Sequence, residues 1–597
     1  MDTLEKLVQS NNPPSEATIL KVNELLSTPL KDLNELDVEI LQFERHLLDL
    51  KAKRVAVQDT VKKYTSIISI VRRIPIDILH QIFYHCLPTH RNPVMAASEA
   101  PLLLTRICSS WRATALSSPR IWARLHIPFS DEHLFSDEQS HRPYFQSNQK
   151  AAESLQLRCR IIKEWLDRSG TCPLSISIHF SSPFWRTRNP SDAESSDITQ
   201  EFFRILVLQS QRWENLELIM PMEIYLKLES MISNDMLPML KSFKAILHLQ
   251  RPGAANIGPP FSLPKAPNLL TVSLSAGTAC FWKSPNPPII WSRLTYLSVH
   301  TPFSITDILD LLKTCNGLVH CEVNIMDGVI EDQPDLDLQE QVSLPSLRSF
   351  SILEDGMNPP RMRNLYNCIH APELRWISYR KMNHIQEDMD DMTPSPILSL
   401  LQKSAKLKKL TVSPRGFSRW NMRRILEIIS ANVTHLVLGH EPFAPSRSMG
   451  QGIRFFGPDM FDFDNLSCFY SSPIGGTSTI LPHLRILEIT YGTTVSDKDL
   501  LQFIIGRMDL LEDAPTDVAA LDCVRVNFSR PREKNSEVDI DEDVSRHARL
   551  LGRKIKLELN YIEEPRNANT MSSSYGLTDQ DQWWTYDEIE EGAVPED

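Results

Sequence analysis

The 597-residue chain has no uncharged apolar run of about 18 residues, the length a bilayer-spanning helix needs, so no membrane association is expected. It has no Cys-x-x-Cys pair. Its ten cysteines are scattered, and the closest two, Cys315 and Cys321, have no further ligand at zinc spacing; reduced thiols and no bound metal are expected. An excess of positive charge is also missing. With 63 Lys and Arg against 75 Asp and Glu the net charge is -12, which argues against nucleic acid as a general partner. The chain carries no phosphate loop, no Gly-x-Ser-x-Gly elbow and no His-Glu-x-x-His, and Gly450-Gln451-Gly452 with Gly457 lacks dinucleotide spacing. No enzymatic activity and no cofactor are therefore expected. The acidic cluster Glu387-Asp391, with no turn glycine and no distal Glu at loop spacing, reads as a solvated loop. Met1-Asp2-Thr3-Leu4-Glu5 lacks a secretory pattern, so an intracellular location, cytoplasmic or nuclear, is expected.

What is present is ordinary for a globular chain: 42% apolar and 23% charged residues. The negative charge is concentrated at the end. Residues 563–597 hold ten acidic residues against Arg566 alone, a net of -9, and read as a disordered acidic tail; Trp583-Trp584 within it is an alternative docking peptide.

Residues 1–29 read as a polar segment with one short apolar stretch, Ile19 to Leu26, stopped by Pro29. Residues 30–73 read as a coiled-coil helix. Leu33, Leu36, Ile40, Phe43, Leu47, Leu50, Arg54, Val57, Val61, Tyr64, Ile68 and Val71 alternate in steps of three and four, and Arg54 is the one charged residue in the stripe. Two partners fit such a seam: a second copy, giving a homodimer, or Ile19 to Leu26 folded back as a hairpin.

Residues 74–128 read as short helices. Pro75 suits a first helical turn, Asp77 the positive helix end, and Ile78, Leu79, Ile82 and Phe83 fall at helical spacing before Leu87-Pro88 ends the run. A second run carries Leu104, Ile107, Cys108 and Trp111, and Trp122 follows. With Leu103 and Arg112, this order of residue types resembles the F-box, more closely the F-box-like variant common in mushroom-forming fungi. Departures are Ile74, Asp77, Ile107 and Ser109 and a longer loop between Pro88 and Pro101. The resemblance covers under a tenth of the chain. It implies an all-α module whose Pro75, Ile78, Leu79, Ile82, Leu87 and Pro88 contact a Skp-type adaptor and, through it, a cullin.

Residues 129–170 read as a linker, and residues 171–562 as an α/β leucine-rich-repeat solenoid. The pattern apolar-x-x-apolar-x-apolar recurs from Trp213-Leu216-Leu218 through Leu294-Leu297-Val299 and Leu374-Ile377-Tyr379 to Leu484-Leu487-Ile489. Ten copies, counting a weak one at Leu240-Phe243, lie 24 to 33 residues apart except for a last interval of 51. That long interval is expected to hold a degenerate repeat or an insertion around residues 442–476. Pro238, Pro267, Pro345, Pro372 and Pro482 each precede an anchor by two residues, at a strand entrance where a missing N–H costs little.

Alternation along each strand sends positions four and six of the repeat into the core and positions three, five and seven to the other face. Tyr296, His300, His320, Glu322, Trp376 and Arg380 are thereby candidates for binding a protein substrate, among a column of small residues. Tyr296 and Trp376 packing on a loop or the acidic tail is the alternative. The combined expectation is a substrate-recognition subunit of a Skp–cullin–F-box ubiquitin ligase, with a ligase-independent scaffold as its rival.

Overall fold

The computed structural model describes residues 13–130, 144–181, 193–232, 237–248, 265–276, 290–327, 341–356, 359–381, 392–413, 417–439, 481–493, 497–513, 518–528, 539–551 and 554–561. The expectations for 387–391, 442–476 and 563–597 lie outside the described residues. The chain divides into two units, residues 1–81 and 82–597.

The first unit is dominated by one helix, α1 (Glu16–Ile67), capped by Ser15, whose hydroxyl accepts from the Thr18 N–H. Pro29 does not stop it, and Ile19 to Leu26 is continuous with the rest, so the hairpin is excluded. A helical proline forfeits its own N–H bond and crowds the carbonyl four residues back, about 3 kcal/mol. On an exposed helix that carbonyl can still bond water, and the turn before Pro29 gains a bond from Ser27 Oγ to the Glu24 carbonyl. The apolar stripe from Leu33 to Ile68 is exposed, Phe43 at 67% and Leu47 at 51%.

Helix α2 (Ile76–His85) follows a 3-10 turn, and α3 (Ser109–Leu116) lies beyond a loop. The Cys-x-x-Trp-Arg run is explained locally. Cys108 is the N-cap of α3, its Sγ accepting from the Trp111 N–H; Trp111 lies 5.0 Å from Phe83, and Arg112 Nε donates to the Thr105 carbonyl.

The second unit is organised by a 14-stranded sheet in which neighbouring strands follow chain order and every described pairing is parallel. Its strands are β1 (Arg124–Ser130), β2 (Leu174–Ser181), β3 (Trp213–Pro221), β4 (Ser242–His248), β5 (Thr271–Ala276), β6 (Tyr296–Phe303), β7 (His320–Asp327), β9 (Ser349–Gly356), β11 (Trp376–Lys381), β12 (Lys409–Val412), β13 (His435–Leu438), β14 (Ile486–Thr493), β15 (Cys523–Phe528) and β16 (Lys556–Asn560). Two short strands, β8 (Val342–Ser343) and β10 (Ile369–His370), pair separately. Among the described residues, nine crossovers hold an α-helix: α4 (Tyr144–Arg168), α5 (Ala193–Val207), α6 (Met222–Met231), α7 (Ile305–Thr314), α8 (Pro359–Cys368), α9 (Leu398–Lys403), α10 (Arg419–Ile429), α11 (Asp497–Asp513) and α12 (Ile540–Leu550). This is an α/β solenoid-like arrangement.

Register makes the repeats one core. Leu216, Phe243, Val272, Leu297, Cys321, Phe350, Ile377, Leu410, Leu436 and Leu487 stand side by side in successive strands, and all are buried. Each buried aliphatic side chain contributes about 1.5–3 kcal/mol, and none is satisfied without its neighbours. The prolines sit at corners: Leu240, Leu269, Leu347, Leu374 and Leu484 each donate to the carbonyl three residues back, which puts the proline second in a turn, where its fixed φ is favourable.

Three expectations change. The sheet begins at β1, because Trp122-Leu125-Ile127 supplies the first anchor, so the solenoid-like part starts within the segment assigned to the helical module. The 129–170 linker instead contains α4, which buries Ile162, Trp165 and Leu166. Across the long interval β13 and β14 are direct neighbours, His435 pairing with Ile486, and Leu521-Val524-Val526 forms an unanticipated strand at β15. Among the described residues, no helix is long and apolar enough to cross a membrane.

Candidate functional site

In α2 the residues assigned to adaptor contact divide between surface and core. Ile78 and Ile82, four residues apart, are 47% and 37% exposed, and Pro75 is exposed too. Leu79 is buried, and Leu87 is only 5% exposed, so both serve packing; Pro88 is half-buried, and its carbonyl accepts from Arg124 Nη1 at 2.9 Å.

The extra residues between Pro88 and Pro101 close the first edge of the sheet. Val94 bridges to His126 of β1, and the His126 N–H donates to the Pro93 carbonyl. Asn92, buried, accepts from Ser175 Oγ (2.9 Å) and donates to Ser177 Oγ (3.2 Å), which also lies 2.9 Å from His126 Nδ1. Arg91 is held by a two-point ion pair to Glu99 (3.0 and 2.7 Å). On the other side Trp122 Nε1 donates to the Ala115 carbonyl, its ring meets Trp165 edge-on at 4.8 Å, and Trp165 Nε1 donates to the Arg124 carbonyl. The helical elements after Gln81 are thus built into the sheet's end.

On the sheet face opposite the anchors, polar and aromatic side chains form three groups, two of which hold the candidate binding residues. Tyr296 and His320 are register partners with rings 6.2 Å apart. Beside them Ser298 Oγ donates to Glu322 Oε2 (2.7 Å) and lies 3.1 Å from His300 Nε2, while Asn324 Nδ2 donates to the His300 carbonyl. Burial lowers the His300 pKa; Glu322 opposes that shift and Lys244 adds to it. Lys244 is itself paired with Glu217 at 2.7 Å.

Trp376 departs from its expected solvation. It is 7% exposed, its Nε1 donates to Thr411 Oγ1 at 3.1 Å, and Lys409 Nζ sits over its ring, 4.6 Å from the centroid. A ring lying against the next strand recovers most of its apolar area there. Arg380, at the end of the same strand, is half-buried, and burial lowers its pKa.

The third group was not anticipated. Glu488 accepts from Arg525 Nη1 (2.8 Å) and lies 3.0 Å from His435 Nε2; Arg525 also pairs with Glu558, as does Lys556 (2.8 Å). Burial alone would raise the Glu488 carboxyl, but the His435 hydrogen bond and the Arg525 and Lys409 charges outweigh it and hold the pKa at about 2. Burial keeps His435 below its ordinary value, so near neutrality it is an uncharged donor.

No family model matches the chain, and no curated protein matches it.

A buried carboxylate also escaped sequence reading. Glu354 Oε2 accepts from the hydroxyls of Tyr366 (2.8 Å) and Tyr379 (2.7 Å), and burial together with the Glu354 charge pushes the Tyr366 pKa well up. The signal available was Tyr379 itself, a hydroxyl-bearing residue at an anchor position otherwise aliphatic in the neighbouring strands. Among the described residues, no group of three or more His, Cys, Asp or Glu is placed to hold a metal ion.

Proposed function

We propose that this chain is the substrate-recognition subunit of a Skp–cullin–F-box type ubiquitin ligase. The observation that carries the proposal is the exposure of Ile78 and Ile82 on one helical face, at positions the F-box-like resemblance assigns to adaptor contact, while Leu79, Phe83 and Leu87 are buried. Isolated exposed apolar residues are ordinary, but a pair at four-residue spacing on a short helix is suited to a partner's groove. On the same proposal the sheet is a leucine-rich-repeat solenoid, and Tyr296, His300, His320, Glu322 and Arg380 belong to the surface that holds the target. Ubiquitin transfer would be catalysed on other subunits, with this chain raising the local concentration of target.

The rival scaffold draws on a specific observation as well: the exposed apolar stripe of α1 suits an assembly protein with no ligase. Affinity purification of the tagged full chain, followed by mass spectrometry, separates the two. Adaptor and cullin peptides are expected; their absence from a preparation that retains other partners would favour the scaffold.

A further inference from the structure

A 52-residue helix whose apolar stripe faces water is short of a partner. We propose that α1 pairs with α1 of a second copy of this chain, and that the two helices run antiparallel. This is independent of adaptor docking.

The charges flanking the seam decide the direction. With Leu33, Ile40, Leu47, Arg54 and Val61 at one core position of the heptad and Leu36, Phe43, Leu50, Val57 and Tyr64 at the other, the flanking positions hold Asp32, Asp37, Glu39 and Glu44 in the first half. The following stretch carries His46, Lys51 and Lys53 there. In a parallel, in-register pair each flanking residue meets the one five positions on. Asp32 would face the partner's Asp37, Glu39 the partner's Glu44 and His46 the partner's Lys51, like on like three times. Reversing one helix sets the acidic half against the basic half: Asp32 beside the partner's Lys53, Glu39 beside the partner's His46, and Glu44 beside the partner's Lys51.

Arg54 gives the same answer from inside the seam. In the parallel pair it would oppose the partner's Arg54, two like charges in an apolar layer. In the antiparallel register that stacks Leu47 on the partner's Phe43 and Ile40 on the partner's Leu50, Arg54 lies across from the partner's Leu36. The partner's Asp37 then sits next to the guanidinium. The stem covers apolar surface while the charged head reaches a carboxylate at the rim. The Lys53–Asp49 pair within the helix (2.6 Å) is exposed and weak enough to exchange for an intermolecular one.

The test uses the full chain. Unlabelled and 15N-labelled protein are mixed, sedimented, and treated with a zero-length carbodiimide that joins lysines to carboxylates. A dimer is expected, with heavy–light cross-links from Lys51 or Lys53 to Asp32, Asp37 or Glu39. A monomer, a trimer, or heavy–light links confined to residues of similar number would each overturn the proposal. Charge reversal gives a second reading: Lys51→Glu with Lys53→Glu should weaken the dimer at least about tenfold, and adding Asp32→Lys, Asp37→Lys and Glu39→Lys should restore it. A tighter dimer from the first variant would indicate the parallel arrangement and overturn it.

Discussion

Asn92 Nδ2 donates to Ser177 Oγ at 3.2 Å, tying the loop after α2 to the second strand of the sheet across 85 residues of sequence. The same side chain accepts from Ser175, so one buried amide bonds two buried hydroxyls on β2. Asn92→Ala should cost about 2 kcal/mol, because it takes the acceptor from the buried Ser175 hydroxyl and leaves Ser177 Oγ with His126 alone. Urea denaturation followed by tryptophan fluorescence measures it; a loss below about 0.5 kcal/mol would mean that the loop is not what closes the sheet's edge.

Glu354 should behave as a structural carboxylate. Replacing it with Leu strands the Tyr366 and Tyr379 hydroxyls and should cost more than about 2 kcal/mol, whereas Glu354→Gln, which keeps an acceptor, should cost less than half as much. Equal losses in the two variants, by the same denaturation assay, would show that the hydroxyl bonds matter little.

Acid should destabilise the sheet in two stages. His435 and His300 have pKa values lowered from 6.5 by burial, so the unfolded chain binds their protons first and stability falls as pH drops below about 6.5. Glu488 is depressed from 4.5 to about 2, so the stability it supplies is fully present above 4.5 and is lost between 4.5 and 2; for this mostly buried group that is on the order of 3 kcal/mol. Thermal melts of wild type and Glu488→Gln from pH 7 to 3 should converge as pH falls. A constant gap would contradict the assignment.

Burial acts with the opposite sign at Glu229, whose pKa is raised from 4.5 to about 7. Its neutral form is favoured in the fold, so its penalty is absent below pH 4.5 and grows as pH rises toward 7. Glu229→Gln should raise the melting temperature at pH 8 and leave it unchanged at pH 4. A rise at both values would point to packing rather than ionisation.

Trp376 is a poor choice for probing target capture, because Trp376→Ala opens a cavity and should cost about 3 kcal/mol or more of stability. Tyr296→Ala with Arg380→Ala is the cleaner variant. It should leave the melt nearly unchanged and weaken recovery of the co-purified target by about 2 kcal/mol, roughly thirtyfold. Undiminished recovery would place the target elsewhere.

The spacing of Leu294, Leu297 and Val299 and their counterparts was enough to read the sheet, because residue type and interval both repeat and the register follows from them. The sheet's ends were harder. Trp122 carried two patterns at once, closing the helical run and anchoring β1, and only pairing shows the second role. Helix α4 was hidden because its buried face, around Ile162 and Trp165, lies at the end of a polar stretch. Pro29 misled because a proline penalty is local, whereas a long helix is cooperative. In the candidate face, strand alternation assigns residues to one side of the sheet. It carries nothing about neighbours one strand away, which is how Thr411 and Lys409 come to cover Trp376 and how Arg525 reaches Glu488.

The most direct measurement is the affinity of the purified full chain for a purified Skp-type adaptor, by calorimetry, with Ile78→Asp and Ile82→Asp combined as the variant. Both side chains are exposed, so circular dichroism and the melt should change little. Wild type should bind, and the variant should lose at least about a hundredfold in affinity, as expected when charges replace two apolar anchors at an interface. Equal binding by the two proteins, or none by the wild type, would contradict adaptor docking through α2.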